Sequence, residues 1–135
     1  MRRWIVAGVV VAALCSVLLG EGLAATSGQI EQRALDEMRA GRYAKAVELW
    51  QELLQRSPGQ PAALYNLACC YSRTGKLDAA ALRLEEAYNA GMKDLELLQS
   101  DPDLESLRES RKGRALIDRL VSDAERIRRL RGVPG

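Results

Sequence analysis

Histidine and phenylalanine are both absent from this 135-residue chain. Without histidine the chain lacks the commonest general acid/base and the commonest metal ligand of proteins. Aromatic residues make up only 4% of the sequence, while alanine, leucine, glutamate and arginine are abundant, which favours helix over strand. The formal charge of +2 is too small to indicate nucleic-acid binding by itself. The length and composition predict one domain rich in α-helix.

Motifs of known catalytic sites are missing as well. The sequence contains no GxSxG nucleophile elbow, no glycine-rich phosphate loop and no HExxH zinc helix. Its carboxylates are spread over predicted helix surfaces and are not paired as an acid/base couple would be. We therefore predict that the protein is not an enzyme and uses no metal and no cofactor.

The N-terminal segment has the pattern of a targeting sequence. A positive MRR precedes an apolar stretch from Trp4 to Gly20, and small residues follow up to Ala24. This order is typical of a secretory signal peptide over residues 1–24, and it predicts cleavage after Ala24 and an exported, periplasmic or cell-envelope product. The alternative is an uncleaved inner-membrane anchor, because about 17 apolar residues reach the lower limit for spanning a bilayer.

The rest of the chain contains an internal repeat with a spacing of 34 residues. GRYAKAVELWQELLQRSP, beginning at Gly41, aligns with GKLDAAALRLEEAYNAGM, beginning at Gly75. Each copy starts with a glycine, which can adopt positive φ, and continues with apolar residues three and four apart, as in an amphipathic helix. Trp50 aligns with Leu84 in this register. The pattern predicts a helix hairpin that recurs along the chain.

On these residues the sequence resembles the tetratricopeptide repeat (TPR) family, whose unit is two antiparallel helices in about 34 residues. The better copy covers residues 61–94, and the first copy covers residues 27–60. The first copy departs from the family at Arg33 and Glu37, where leucine and an aromatic residue are preferred. The resemblance implies an all-α fold in which antiparallel helix hairpins stack as a short right-handed superhelix over residues 27–131. The signature positions of the better copy are Leu64, Leu67, Ala68, Tyr71, Gly75, Ala80, Leu84 and Ala87.

Residues 95–131 break the pattern and are predicted as a degenerate third unit with a C-terminal capping helix. Glu109 stands where the turn glycine belongs, and Ser100, before Asp-Pro-Asp, is predicted to cap a short helix. A longer helix is predicted from about Lys112 to Arg131, because a repeat array exposes an apolar end that something has to cover. Its predicted apolar face consists of Leu116, Ile117, Leu120, Val121, Ala124, Ile127 and Leu130.

Two adjacent cysteines, Cys69 and Cys70, lie inside the apolar run of the better copy. Neighbouring side chains on a helix diverge by about 100°, so the two thiols cannot pair with each other unless the helix breaks. A metal site would need further ligands that the chain does not supply. In the TPR-like register Cys70 is tightly packed and Cys69 points toward the concave side. We predict that both are small packing residues, with redox or partner-disulfide use of Cys69 as the alternative.

The resemblance also implies a binding surface, because the first helix of each TPR typically lines a concave ligand groove. Asn66 can donate to and accept from a peptide backbone, Arg73 can hold a carboxylate, and Tyr65 offers a rigid contact. The predicted partner-binding residues of the better copy are Tyr65, Asn66, Cys69, Ser72 and Arg73, with Ala62 at the same face. Their counterparts in the first copy are Glu31, Gln32, Leu35, Met38 and Arg39, of which Leu35 and Met38 are expected in the core rather than in contact with a partner.

Charge is divided unevenly near the C-terminus. Residues 94–109 hold six acids and one base, a net −5, and residues 111–135 hold eight bases and three acids, a net +5. Arginines near a helix C-terminus suit the helix dipole and stay solvated, which is the favoured interpretation. The alternatives are mutual neutralisation of the two blocks, or contact with anionic lipid or nucleic acid. No aromatic residue in the tail is available to stack on bases.

Together these features predict an exported TPR adaptor that binds a peptide or another protein in the cell envelope and does not bind nucleic acid. The alternative is a structural module whose repeats self-associate or brace an envelope complex without a ligand groove.

Overall fold

The computed structural model describes residues 24–132, so the predicted signal peptide lies outside the described residues except for Ala24. Within this range all regular structure is helical, with seven α-helices, one 3-10 turn and no strand. The predicted all-α class is therefore confirmed. None of the helices between residues 24 and 132 combines the length and the apolar character needed to cross a bilayer.

Four helices of similar length form two hairpins. They are α1 (Ser27–Arg39), α2 (Tyr43–Arg56), α3 (Pro61–Arg73) and α4 (Leu77–Asn89). Each packs against the next one along the chain, α1 on α2, α2 on α3 and α3 on α4. This is the stacking of antiparallel hairpins that the repeat predicted.

The turn inside each hairpin has the same geometry in both copies. Gly41 has φ +73° and Gly75 has φ +76°, a left-handed conformation that costs glycine little and other residues more. The residue after each glycine donates its N–H to a carbonyl five positions earlier, from Arg42 to Glu37 and from Lys76 to Tyr71, both at 2.9 Å. These bonds close the end of the first helix as in a Schellman motif, so the glycines set the hairpin turn in each copy.

The second helices of the two hairpins bury equivalent side chains. Trp50 and Leu84 are both fully buried, and the two positions share the core of the stack. The Trp50 indole N–H also points at the sulfur of Met38, with 3.3 Å between Nε1 and Sδ. Burial of the aligned positions explains why their apolar character recurs at the repeat spacing.

The third unit has a divided first helix, made of α5 (Leu95–Ser100), a 3-10 turn (Pro102–Leu104) and α6 (Glu105–Glu109). The prediction that Ser100 caps a helix here is wrong, because Ser100 is the last residue of α5. Asp101 takes that role instead, and its Oδ1 accepts the backbone N–H of Asp103 at 2.9 Å. Proline disfavours the helical conformation in the residue before it, and Asp101 accordingly has ψ 120°.

The helix α7 (Arg111–Leu130) is capped at its N-terminus by Ser110, whose Oγ accepts the N–H of Gly113 at 3.0 Å. It lies against α4, with Lys112 paired to Asp78 and Arg119 paired to Glu85, both at 2.6 Å. In that register the end of α4 falls level with about residue 123, so the last turns of α7 extend beyond it. The predicted apolar face is correct for Leu116, Ile117, Leu120 and Ala124, which are buried. It is wrong for Leu130, which lies in the overhanging part and is 82% exposed.

Candidate functional site

The concave face of α3 is covered by the chain itself. Residues 101–107, which we call the DPDLESL segment, pack on α3 through the 3-10 turn and α6. Leu104 and Leu107 of this segment are fully buried. Three of the predicted partner-binding residues lie beneath it: Tyr65 is 6% exposed, and Cys69 and Ser72 are each 1% exposed. These side chains therefore contact the chain's own C-terminal unit.

Asp101 is the centre of the first polar contact. The Tyr65 hydroxyl donates to Oδ2 of Asp101 at 2.6 Å, and the Cys69 thiol lies 3.9 Å from the same oxygen. The Arg108 guanidinium donates to the Asp101 backbone carbonyl at 2.7 Å. Burial raises the pKa of Tyr65 far above its usual range, and the neighbouring Cys69 and Asp101 add to the shift. The tyrosine therefore remains a hydrogen-bond donor to the carboxylate at any ordinary pH.

Asp103 makes the second polar contact, to two helices at once. Its Oδ1 lies 3.5 Å from the hydroxyl of Tyr43 in α2 and 3.7 Å from Nε of Arg73 in α3. The Arg73 guanidinium also lies over the Tyr43 ring, 5.0 Å from its centroid, in a cation–π arrangement. Burial and the nearby Asp101 charge raise the pKa of Asp103, while Arg73 acts in the opposite direction. This carboxylate thus joins the first and second repeats to the third unit.

Ser72 supplies the third polar contact. Its Oγ accepts the backbone N–H of Leu107, the middle residue of α6, at 3.3 Å. Between residues 24 and 132, no buried side-chain nitrogen or oxygen lacks a hydrogen-bond partner. The interface between α3 and the DPDLESL segment therefore combines buried leucines with polar side chains that all have hydrogen-bond partners where they are buried, as in a protein core.

The remaining predicted residues are more open. Asn66 is partly exposed, and the Arg73 side chain is 43% exposed although it contacts Asp103. In the first repeat Glu31, Gln32 and Arg39 are exposed, whereas Leu35 and Met38 are partly buried and pack against the core. Contact of any of these residues with a partner stays a prediction.

Both cysteines of the domain are free, buried thiols. Burial raises the pKa of both, that of Cys70 to about 12, and the Asp101 charge contributes at Cys69. The thiolate is the reactive form of cysteine, so neither side chain is activated for redox chemistry. Across residues 24–132 no cluster of three or more His, Cys, Asp or Glu side chains is placed to hold a metal ion.

Sequence reasoning missed the occupant of this face. It placed the acidic stretch in a helix start and did not bring Asp101, Asp103, Leu104 or Leu107 to the groove. The sequence did contain a signal, because two aspartates are followed by two leucines that are three residues apart from each other. Such a segment is complementary to a face predicted to carry tyrosine and arginine. Tyr43 was also missed, because it lies on α2 and the groove was assigned to first helices alone.

Comparison with known proteins identifies the same kind of repeat. Residues 37–100 match a family model described as tetratricopeptide repeat. The chain is 37% identical over 83 residues to a chloroplastic protein of Arabidopsis thaliana, an alignment that covers 59% of this chain and 25% of that protein. The chain thus spans about a quarter of the relative's length. No solved structure matches the chain significantly. The family model extends from the end of α1 to the end of α5, and over these residues the chain matches the tetratricopeptide repeat family.

Proposed function

We propose that this protein is a non-enzymatic adaptor that binds a peptide or partner protein on the concave side of its repeats, after export to the cell envelope. TPR repeats as a class suggest protein–protein interaction. The observation that supports the proposal best is the chemistry of the α3 face. Its hydroxyls and its arginine hold an acidic segment with two carboxylates, so the face is equipped for peptide recognition.

The exposed part of the same face gives a partner a place to bind. Asn66 carries both a donor and an acceptor, and Arg73 keeps nearly half of its side chain in solvent. Gln32 and Arg39 of α1 are exposed in the equivalent positions of the first repeat. A partner segment that runs along α1 and α3 would meet these polar side chains in turn.

The binding part of the proposal is tested with the tagged full-length chain, used to recover partners from an envelope extract. The groove variant Asn66→Ala/Arg73→Ala is compared with Gln55→Ala/Lys45→Ala, which removes one amide and one cation from the exposed side of α2. We expect a partner that wild type and control recover equally and that the groove variant recovers about tenfold less, with unchanged helicity. Equal recovery by all three chains would contradict a concave binding surface.

Export is supported by the sequence pattern of residues 1–24 alone. N-terminal sequencing of the product from fractionated cells tests it, and the expected first residue is Ala25. A product in the membrane fraction that retains Met1 would favour the anchor, and a product found only in the cytoplasm would contradict export.

A second candidate function is a structural module that self-associates or braces an envelope complex. The covered state of Tyr65, Cys69 and Ser72 favours it, because much of the concave face is not open to a ligand. Sedimentation of the purified chain separates the two. A dimer that persists in Asn66→Ala/Arg73→Ala supports the structural module, whereas a monomer that loses its partner in this variant supports the adaptor.

A further inference from the structure

We propose that the concave face of α3 is a receptor for acidic segments of the pattern Asp-x-Asp-Leu-x-x-Leu, and that the chain's own DPDLESL segment closes this receptor until a partner segment of the same pattern replaces it. The inference rests on the proposed function, since it names the class of partner and the device that regulates the groove. In this inference the third unit competes with a partner for the concave face of α3.

Each position of the pattern has its own contact on the receptor. The first aspartate, Asp101, accepts from Tyr65 at 2.6 Å, and the second, Asp103, lies 3.7 Å from the Arg73 guanidinium. The two leucines, at positions 104 and 107, are fully buried. The backbone N–H of the second leucine reaches the Ser72 hydroxyl. None of these contacts depends on how the segment is joined to the chain, so a separate peptide of the same pattern can make them too.

The charge of the face selects an acidic occupant. Arg73 is the cation of the receptor, and the hydroxyls of Tyr43 and Tyr65 both act as donors toward carboxylates. The short bond from Tyr65 to Asp101 is charge-assisted and therefore stronger than a neutral one, while Arg73 attracts Asp103 as an ion pair. A basic segment would offer these groups no carboxylate. The segment that fits this face is therefore a short acidic turn followed by a helix with leucines three residues apart. Its binding would be a form of helix-in-groove recognition.

The short helices of the third unit allow the DPDLESL segment to be replaced by a partner segment. The segment follows α5, a helix of six residues that packs on α7, and it includes the first three residues of α6, a helix of five residues that packs on α3. Helices of this length are not stable without such packing. Its outer side is solvated, because Pro102, Glu105 and Ser106 are exposed. A tethered segment competes at an effective concentration in the millimolar range, so a free partner binds weakly until the internal contacts are loosened.

The test uses a fluorescent peptide with the sequence QSDPDLESLRES, residues 99–110, and the full-length chain in fluorescence anisotropy titrations. The variant Asp101→Ala weakens the internal competitor and leaves the receptor side chains intact. We expect it to bind the peptide at least about tenfold more tightly than wild type does. Asp101→Asn, a milder change that removes the charge but keeps the shape of the side chain, should give a smaller gain, so the test stands even where Asp101→Ala lowers the stability of the fold.

Two controls connect the binding to the receptor. Adding Tyr65→Phe to Asp101→Ala removes only the hydroxyl that would hold the first aspartate of the peptide, and affinity should fall about tenfold. The peptide QSAPALESLRES, which lacks both aspartates, should bind no chain. Helicity is followed for every variant by circular dichroism.

The proposal is overturned if the peptide binds wild type and both Asp101 variants with equal affinity, or if Tyr65→Phe leaves that affinity unchanged. It is overturned as well if the Asp101 variants fold but do not bind the peptide. It is also overturned if Asp101→Ala forms a dimer in place of binding the peptide, because the occupant would then be a second copy. The two proposals fail separately. If the chain recovers a partner that depends on Asn66 and Arg73 but does not bind the peptide, this inference alone is refuted. If the chain neither recovers such a partner nor binds the peptide, the adaptor function is refuted as well.

Discussion

Gly113→Ala tests the closest contact between the last helix and the DPDLESL segment. Gly113 is buried in the first turn of α7, and a Cβ at this position would lie 1.9 Å from the carbonyl oxygen of Leu107 and 2.7 Å from Cδ1 of the same residue. Its φ is not positive, so alanine can adopt the backbone conformation. The obstacle is space alone, and the atom in the way belongs to the backbone and cannot rotate aside.

The expected magnitude follows from two opposing terms. Alanine is favoured over glycine inside a helix by about 1 kcal/mol. Overpacking a tight site costs about 1–3 kcal/mol, and a contact this short, against backbone, belongs at or above the upper end of that range. We therefore expect a net loss of about 2 kcal/mol in the free energy of unfolding. For a domain of this size such a loss lowers the Tm by about 8 °C or more.

Thermal and urea unfolding followed by circular dichroism measure this change. Gly28→Ala is the matched control, because Gly28 lies in the first turn of α1 and a Cβ there meets nothing within 4 Å. The control should leave stability unchanged or raise it by up to about 1 kcal/mol. If Gly113→Ala is as stable as wild type, α7 does not approach Leu107 this closely, and our account of how the third unit holds the DPDLESL segment fails.

Other predictions concern the thiols, one carboxyl and one cap. In a Cys15→Ser background, Cys69 and Cys70 should react with a thiol reagent only on unfolding, and labelling within minutes in native buffer would contradict their burial. The pKa of Asp103 is raised above its ordinary value of 3.8 in the folded state, so its contribution to stability is greatest below that value and is lost as the pH rises through the folded pKa. Urea midpoints of wild type should therefore fall relative to those of Asp103→Asn from about pH 4 upward, and parallel pH profiles would refute this cause. Thr26 and Gln29 form a capping box at the start of α1, with bonds of 2.8 and 3.2 Å, so Thr26→Ala should cost about 1 kcal/mol in urea unfolding, and an unchanged midpoint would show that the cap is not formed in solution.

The hairpins could be predicted from the sequence because their determinants are local and repeated. Gly41 and Gly75 end a helix through their own backbone freedom, and the burial of Trp50 and Leu84 follows from helical spacing. Each of these signals appears twice at one spacing, so the two copies support each other. A repeat array is predictable in this way because each unit contacts only its neighbours.

The occupied groove could not be predicted in the same way, because it depends on contacts between residues far apart in sequence. Tyr65 and Asp101 are 36 positions apart, and Tyr43 and Asp103 are 60 apart. Residue type predicted that Arg73 can hold a carboxylate, but it could not say that a carboxylate of the same chain, that of Asp103, lies beside it. The position of α7 in the repeat pattern was also hard to recognise, because its spacing from α4 differs from the repeat spacing. The buried row Ala80 and Leu84 of α4 continues at Gly113 and Ile117 of α7, one residue short of the repeat spacing.

One local feature accounts for both roles of the third unit. Pro102 stops α5 at Ser100, so the first helix of this unit is divided and its second part turns onto α3. A continuous helix would have presented a third concave surface and left the second one open. Division at the proline instead places Leu104 and Leu107 on α3, while α7 covers α4. The divided third unit therefore fills the groove of the second repeat, and the proposed partner would have to use the exposed residues of α1 and α3 or displace this segment.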